Sequence, residues 1–252
     1  NFEKKLPATK INKNVNVLNP SKDQINNLLE HYQKGRFADA EEYAISMTDR
    51  FPKHQFAWKI LGTIYLSTNR VPEALNANHK AIELSPKDAE AHNLLGITYK
   101  ELGRLEEAEK SCLQAIKLNP NFFQAHSNLG NTLKDLGKLE EAKSYYLQAL
   151  ELNPNLAEVH SNLGNVFKDL KKLQKAEACY LQALKLNPNL AAAHSNLGDI
   201  FKELGRLQEA EASCLKAIEL NPNLAEAHNN LGVIFKELGR LQEAEASCLK
   251  AI

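Results

Sequence analysis

The sequence predicts an all-α solenoid built from about seven helical hairpins. A proline recurs every thirty-four residues without interruption, at Pro52, Pro86, Pro120, Pro154, Pro188 and Pro222. A leucine and a glycine follow each proline at constant distance, and an alanine keeps the same period from Ala40 to Ala244. A period of this length indicates stacked supersecondary units, because a single hairpin cannot bury its own apolar face.

Counting from the third residue after each proline divides the chain into an N-terminal extension, residues 1–20, and a repeat array over residues 21–252. The units of the array are 21–54, 55–88, 89–122, 123–156, 157–190, 191–224 and an incomplete 225–252. Position numbers used below count from the first residue of each unit.

Each unit is predicted to contain two helices. In the unit 89–122 the first helix ends at Leu102, because Gly103 suits the left-handed turn that closes a helix. The second helix begins near Glu106, whose charge is favourable at the positive end of the helix dipole. It ends at Asn119, because the residue before Pro120 avoids helical geometry.

The composition excludes several classes of partner. Thirty-one basic and thirty-one acidic residues give a net charge of zero, so bulk charge attracts neither nucleic acid nor an anionic membrane. No apolar run approaches the roughly twenty residues that span a bilayer. The four cysteines include no Cys-x-x-Cys pair, and a reduced, cytoplasmic location is therefore expected.

No catalytic residue, metal or cofactor is expected. Five histidines recur at position 4, once per unit, so they should stand one hairpin apart, whereas zinc requires converging ligands. They are His92, His126, His160, His194 and His228. Cys112, Cys214 and Cys248 share position 24 in the second helix, where a core role is expected.

Helix geometry divides the first helix into two sides. At about 100° per residue, positions 3, 4, 7, 8, 11 and 14 cluster on one side and positions 2, 5, 6, 9, 12 and 13 on the other. In the unit 157–190 the first side carries Val159 and Leu163, which are expected to pack. The second side carries Glu158 and Asn162, and is expected to face water or a ligand.

Asparagine recurs on the polar side at positions 6 and 9. This asparagine ladder comprises Asn128, Asn131, Asn162, Asn165, Asn196 and Asn230. Asparagine costs a helix up to about 0.7 kcal/mol relative to alanine, so helix propensity did not select it. A side-chain amide has one acceptor and two donor hydrogens and can pair with any peptide unit. The ladder therefore predicts binding of an extended peptide segment; the alternative is a solvated helix face.

Two further groups lie near the predicted ladder. Lys134, Lys168 and Lys202 at position 12 are predicted to meet acidic side chains of a bound peptide, or else to form a solvated edge. Leu94 and Ile97 belong to a predicted apolar shelf, which binds an apolar patch of the partner or packs against residues 1–20. The other members of the shelf are Phe56, Ile60 and Leu66.

The stretch from Trp58 to Tyr65, followed by Ala74, Ala81 and Pro86, resembles the tetratricopeptide repeat at its signature positions. The resemblance covers roughly residues 21 to 252. It implies a right-handed superhelix whose inner groove is formed by the first helices.

Two narrower resemblances concern particular segments. The string His-Ser-Asn-Leu-Gly-Asn at 126–131 and 160–165 is similar to arrays of O-linked N-acetylglucosamine transferases. That resemblance implies that the six ladder asparagines hold protein substrates by their backbone; Asp199 and Val233 depart from the pattern at position 9. In the first unit, the strings Gln-Ile-Asn-Asn-Leu-Leu at 24–29 and Gly-Arg-Phe-Ala-Asp-Ala-Glu at 35–41 resemble the first hairpin of bacterial arrays that precede glycosyltransferase or sulfotransferase domains.

The resulting prediction is a protein-interaction scaffold that is not an enzyme. The alternative is the substrate-recruiting arm of a larger glycosyltransferase or sulfotransferase whose catalytic domain is absent from this sequence. A third hypothesis is end-to-end self-association through the C-terminal unit, which lacks a capping helix and leaves its apolar face uncovered.

Overall fold

A computed structural model describes residues 19–251, and in this stretch the chain forms fourteen α-helices and no strand. The predicted all-α solenoid is thereby confirmed. The first helices are α1 (Lys22–Gln33), α3 (Gln55–Ser67), α5 (Ala89–Glu101), α7 (Phe123–Asp135), α9 (Ala157–Asp169), α11 (Ala191–Glu203) and α13 (Ala225–Glu237). The second helices are α2 (Phe37–Arg50), α4 (Val71–Leu84), α6 (Leu105–Leu118), α8 (Leu139–Leu152), α10 (Leu173–Leu186), α12 (Leu207–Leu220) and α14 (Leu241–Lys250).

The chain divides into two compact parts, residues up to Lys87 and residues from Asp88. In the described portion of the first part, α1 to α4 enclose an apolar core that includes Leu28, Met47, Leu61 and Ile64. In the second part, neighbouring first helices from α5 to α13 pack against one another, whereas each second helix packs mainly against the first helices that flank it. The first helices of the second part therefore form one face and the second helices form the other.

A glycine at position 8 lets the two helices of a hairpin approach closely. A Cβ atom added at Gly130 would lie 2.7 Å from a ring carbon of Tyr146, and one added at Gly96 would lie 2.6 Å from the sulfur of Cys112. Both distances are shorter than van der Waals contact. Close packing of the two helices therefore requires glycine at this position.

Four of the histidines at position 4 connect their first helix to the loop before it. His126 Nε2 lies 2.8 Å from the carbonyl oxygen of Pro120, and the same contact measures 3.0 Å at His160, 3.0 Å at His194 and 2.9 Å at His228. Since a carbonyl oxygen can only accept, Nε2 must carry the proton and donate it. These histidines therefore stabilise the connection between hairpins.

Two features of the first helices differ from the sequence-based division into packing and polar sides. That division assigns position 10 to neither side, yet Thr98, Val166 and Ile200 at this position are fully buried. At position 5, on the predicted polar side, Asn93 and Ser195 are buried. Position 10 stands two turns after position 3, so the same helical geometry already contained the signal for its burial.

The last hairpin is less covered than the others in the second part of the chain. Leu241 and Leu249 of α14 are each 66% exposed. End-to-end self-association through this hairpin stays a prediction. No helix within residues 19–251 combines the length and apolar character needed to cross a membrane.

The turn between α9 and α10 contains a strained residue. Lys171 has φ 57°, in the left-handed region that glycine occupies at the equivalent Gly137 (φ 74°). Both turns share two hydrogen bonds, at 2.9 and 2.8 Å, and they differ in residue type at this position. A side chain in this conformation costs roughly 1–2 kcal/mol, partly offset by the greater unfolded-state freedom of glycine.

Lys171→Gly is therefore expected to raise the free energy of unfolding by about 0.5–1 kcal/mol, measured by urea denaturation. The matched control is Gly137→Lys, which is expected to lower it by a similar amount. Equal stability of Lys171→Gly and the unmodified chain would show that the turn stores no strain.

Candidate functional site

The ladder asparagines lie half-buried on α7, α9, α11 and α13, the helices that form one face of the second part. Each keeps part of its surface exposed, and none is located on the second helices. The structure brings four of them into two close pairs that bridge neighbouring hairpins. These amide pairs are Asn131 with Asn162 and Asn165 with Asn196.

A fixed hydrogen-bond pattern orients each amide pair. The Oδ1 atom of Asn131 accepts from the Tyr146 hydroxyl at 2.7 Å and from Asn162 Nδ2 at 3.0 Å. One hairpin later, Asn165 Oδ1 accepts from the Tyr180 hydroxyl at 2.7 Å and from Asn196 Nδ2 at 3.0 Å. Because the oxygen of the position-9 amide accepts two hydrogen bonds, the orientation of that amide is fixed.

Each amide pair retains unused hydrogen-bonding capacity. Within the described residues, Asn131 Nδ2 and Asn162 Oδ1 have no hydrogen bond, and the same is true of Asn165 Nδ2 and Asn196 Oδ1. Each pair therefore offers one amide donor and one amide acceptor beside each other. These are the two groups that a peptide unit needs in order to pair with both its C=O and its N–H.

The other two ladder asparagines are held differently. Asn128 Nδ2 donates to Asn93 Oδ1 at 2.9 Å, and Asn93 is buried. Asn230 Nδ2 lies 3.4 Å from Ser195 Oγ, so its contact is longer. The ladder is therefore not uniform, and its two tightly arranged pairs occupy the middle of the second part.

Tyrosine at position 24 marks the hairpins in which the pairs form, and sequence reasoning missed this. Asn131 and Asn165 occur in the hairpins that carry Tyr146 and Tyr180, both fully buried. Where position 24 is a cysteine, position 9 is not asparagine; the pairings are Ile97 with Cys112, Asp199 with Cys214 and Val233 with Cys248. Positions 9 and 24 thus vary together from hairpin to hairpin, and this pattern in the sequence indicated that their side chains are in contact.

Asp199 replaces the ladder asparagine with a charge cluster. Its carboxylate binds Lys168 Nζ at 2.6 Å and Lys202 Nζ at 2.6 Å. Two of the three lysines predicted to face a peptide are thus brought together around one acidic group. The third, Lys134, lies 3.7 Å from the adjacent Asp135.

The lysines also determine the ionisation of Asp199. Burial acts to raise the pKa of this carboxyl, but the hydrogen bonds from Lys168 and Lys202 outweigh it and lower the pKa below its ordinary value of 3.8. The group is therefore charged at neutral pH, and the cluster of one carboxylate and two ammonium groups keeps a net positive charge.

The apolar shelf is only partly available. Leu94 and Ile97 are half-buried, and Ile97 joins Asn128 and Asn131 in lining a depression of about 140 Å³ between α5 and α7. In the first part of the chain Ile60 is 8% exposed and belongs to the core, so it is not a surface residue as predicted. The suggested cover, residues 1–20, lies almost wholly outside the described residues.

Three of the four cysteine thiols show no sign of activation. Burial raises the pKa of Cys112 and of Cys214 to about 12 and that of Cys179 to about 11. A thiol with such a pKa stays protonated at neutral pH and is a poor nucleophile. Within residues 19–251 no three or more histidine, cysteine or acidic side chains converge on a metal-sized space.

Removing one hydroxyl tests the orientation of the amide pair. Tyr146→Phe keeps the ring against Gly130 but removes the donor to Asn131 Oδ1. We expect a loss of about 0.5–1.5 kcal/mol in the free energy of unfolding and increased mobility of the Asn131 side-chain amide by NMR. The control is Tyr145→Phe, because the Tyr145 hydroxyl has no hydrogen bond in the described chain. Equal effects of both substitutions would contradict the assignment.

The charge of Asp199 contributes a pH-dependent part of the stability. At neutral pH we expect Asp199→Asn to be less stable by about 1–2 kcal/mol, because hydrogen bonds to charged groups are strong but partial exposure screens them. The folded-state pKa is lowered, so this stabilisation is full above 3.8 and is lost as the pH falls through the folded-state pKa.

The difference in urea midpoint between the unmodified chain and Asp199→Asn should accordingly shrink as the pH falls below 3.8. Asp169→Asn serves as the control, because Asp169 is exposed and has no ion pair in the described chain. A difference in urea midpoint that does not depend on pH would show that Asp199 acts through packing alone.

Comparisons with known proteins identify the repeat. A family model described as TPR repeat matches residues 62–103, 130–171, 164–205 and 198–239. Models described as Tetratricopeptide repeat match residues 89–122 and 111–144. Together the matches run without a gap from residue 62 to residue 239, which is more than half of the chain. A search of curated proteins gives no match.

Solved structures resemble this chain over most of its length. The crystal structure of the APC/C hetero-tetramer Cut9-Hcn1 matches with a TM-score of 0.80 and 20% identity, over 92% of this chain and 46% of that chain. This chain thus spans just under half the length of that relative. Pseudomonas aeruginosa pilF matches with a TM-score of 0.71 and 22% identity, over 78% of this chain and 89% of that one. At these identities the likeness shows the fold alone.

A third structure is YrrB, described as a TPR protein with an unusual peptide-binding site. It matches with a TM-score of 0.58 and 26% identity, over 71% of this chain and 92% of that chain.

Proposed function

The chain belongs to the tetratricopeptide repeat family, and from this premise we propose that it is a protein-interaction scaffold that holds an extended peptide segment by its backbone. The observation that carries the proposal is the fixed orientation of the two amide pairs, Asn131 with Asn162 and Asn165 with Asn196. Each presents a donor and an acceptor side by side on the face formed by the first helices.

The spacing of the amide pairs suits an extended chain. Neighbouring helices pack roughly 8–10 Å apart, and an extended peptide advances about 3.3–3.6 Å per residue. Successive amide pairs are therefore expected to contact roughly every third peptide unit of the bound segment. Because a backbone amide is the same for every residue except proline, this mode of binding accepts varied sequences.

Side-chain preference is supplied by the groups beside the amide pairs. Next to Asn131, the depression that Ile97 lines together with polar side chains leaves room for a small side chain of the peptide. Lys168 and Lys202 share one carboxylate and so retain positive charge for an acidic side chain of the peptide, and Lys134 has the same role one hairpin earlier. The likeness to YrrB, a TPR protein with a peptide-binding site, supports the same kind of ligand for this chain.

The test uses a displayed library of random twelve-residue peptides selected on the full chain. Peptides that bind are measured by calorimetry against the unmodified chain and against Asn162→Ala/Asn196→Ala. We expect at least a tenfold loss of affinity, because each missing acceptor removes about 1 kcal/mol of hydrogen bonding. The far-ultraviolet circular dichroism should be unchanged, since alanine is a better helix former than asparagine.

The matched control removes two amides from the second helices, Gln148→Ala/Gln182→Ala, and should bind like the unmodified chain. N-methylation of individual peptide bonds should weaken binding more than alanine substitution of the peptide side chains. Failure of the asparagine variant to lose affinity, or the opposite ranking of the peptide changes, would refute backbone recognition.

The more specific resemblance to transferase arrays stays a prediction, because the matching family models identify the repeat without a transferase subtype. A recruiting arm of a glycosyltransferase or sulfotransferase would use the same amide pairs on its protein substrate. The coding sequence beyond Ile252 distinguishes the two possibilities, since a recruiting arm requires a catalytic domain in the same protein.

A further inference from the structure

The second helices carry a row of exposed leucines that neither the core nor the amide pairs use. In the second part of the chain, position 25 is a leucine in every hairpin. Leu147 and Leu181 are each 48% exposed, and the row is completed by Leu113, Leu215 and Leu249. Leucine favours helix formation anywhere on a helix, so propensity alone does not place it at one exposed position five times.

Charges of alternating sign accompany the leucine row. Position 29, one helical turn after each leucine, is exposed and reads Lys117, Glu151, Lys185, Glu219. Glu151 and Glu219 lie in the last turns of α8 and α12, where the helix dipole disfavours negative charge. Glu151 and Lys185 have no ion pair within the described residues. Glu219 pairs with Lys216 at 2.7 Å, and Lys117 and Lys185 are favoured by the dipole at the ends of their helices. Helix stability and local pairing therefore leave Glu151 unexplained and do not account for the whole alternation.

The pattern is complementary to itself. When two copies face each other across a two-fold axis that crosses the row between hairpins 123–156 and 157–190, Leu147 of one copy meets Leu181 of the other. The same rotation places Glu151 opposite Lys185. The outer members of the charge row match as well, because Lys117 then faces Glu219 of the second copy. An axis through the middle of either hairpin would instead oppose like charges.

The surroundings of the row permit this approach. On the same helix face, at position 22, the two central hairpins carry Ser144 and Ala178, both small and exposed, so that α8 and α10 of two copies can come close. Between α10 and α12 the row borders an open groove of about 520 Å³ lined in part by Leu181, Leu184 and Ala212. This groove provides further apolar surface for contact.

We propose that the leucine row and its alternating charges form a two-fold self-association surface, whose occupant is a second copy of this chain in the antiparallel register just described. The contact uses the second helices and leaves the amide pairs on the first helices open. It is independent of peptide binding. Because only the central hairpins meet fully, the interface is small and the dimer is expected to form at micromolar or higher concentrations, on the order of weak transient complexes.

Sedimentation equilibrium of the full chain provides the first measurement. The average mass should rise with concentration from 28.2 kDa towards twice that value and stop there. Glu151→Lys places two lysines opposite each other, and Lys185→Glu places two glutamates opposite each other. Each variant alone should dimerise at least tenfold more weakly. Glu151→Lys also removes an unfavourable charge from the end of α8, so its loss of dimer cannot be ascribed to misfolding.

Mixing the two variants tests the register directly. In a heterodimer of Glu151→Lys with Lys185→Glu, both facing pairs again carry opposite charges, so the equimolar mixture should recover the affinity of the unmodified chain within about threefold. Glu203→Lys, a reversal of an exposed charge on the first helix α11, is the control and should leave dimerisation unchanged.

Three outcomes would overturn the proposal. They are a mass that stays at 28.2 kDa up to about millimolar concentration, single variants that dimerise like the unmodified chain, and a mixture that fails to recover. Growth beyond twice the monomer mass would indicate end-to-end assembly through the C-terminal hairpin instead.

Discussion

The contact between a glycine of the first helix and the side chain at position 24 of the second helix determines how closely the helices of each hairpin pack. At Gly130 and Gly164 any side chain would collide with the ring of Tyr146 or Tyr180. Because the glycine leaves that space, the tyrosine hydroxyl passes beneath it and reaches the neighbouring asparagine oxygen. Core packing and the orientation of the amide pairs are therefore consequences of one steric constraint.

The same packing separates two surfaces with different chemistry. The first helices present oriented amides and the lysines around Asp199, whereas the second helices present exposed leucines and charges of alternating sign. A layer of buried alanines, among them Ala142 and Ala176, lies between the two surfaces. A change on one surface therefore needs no rearrangement of the other, and the two proposed contacts do not exclude each other.

Features that depend on local sequence were predictable, whereas those that depend on contacts between helices were not. The hairpins, their closing turns and the packing role of Gly130 follow from short spacings. The link between Tyr146 and Asn131 spans fifteen residues, and it required knowing which faces of two helices meet. Asp199 and Lys168 are thirty-one residues apart and pair only because neighbouring hairpins stack at a fixed distance. Sequence periodicity indicates stacking but not which side chains become neighbours.

Each amide pair is made at a junction and belongs to no single hairpin. Asn131 needs Tyr146 from its own hairpin and Asn162 from the next, so an isolated hairpin would present no complete pair. Duplicating a hairpin of this type during evolution adds one whole pair, and deleting one removes it, without redesign of the remainder. Under the proposed function, the length of polypeptide that is recognised changes in discrete steps through gene duplication, before any point mutation refines it.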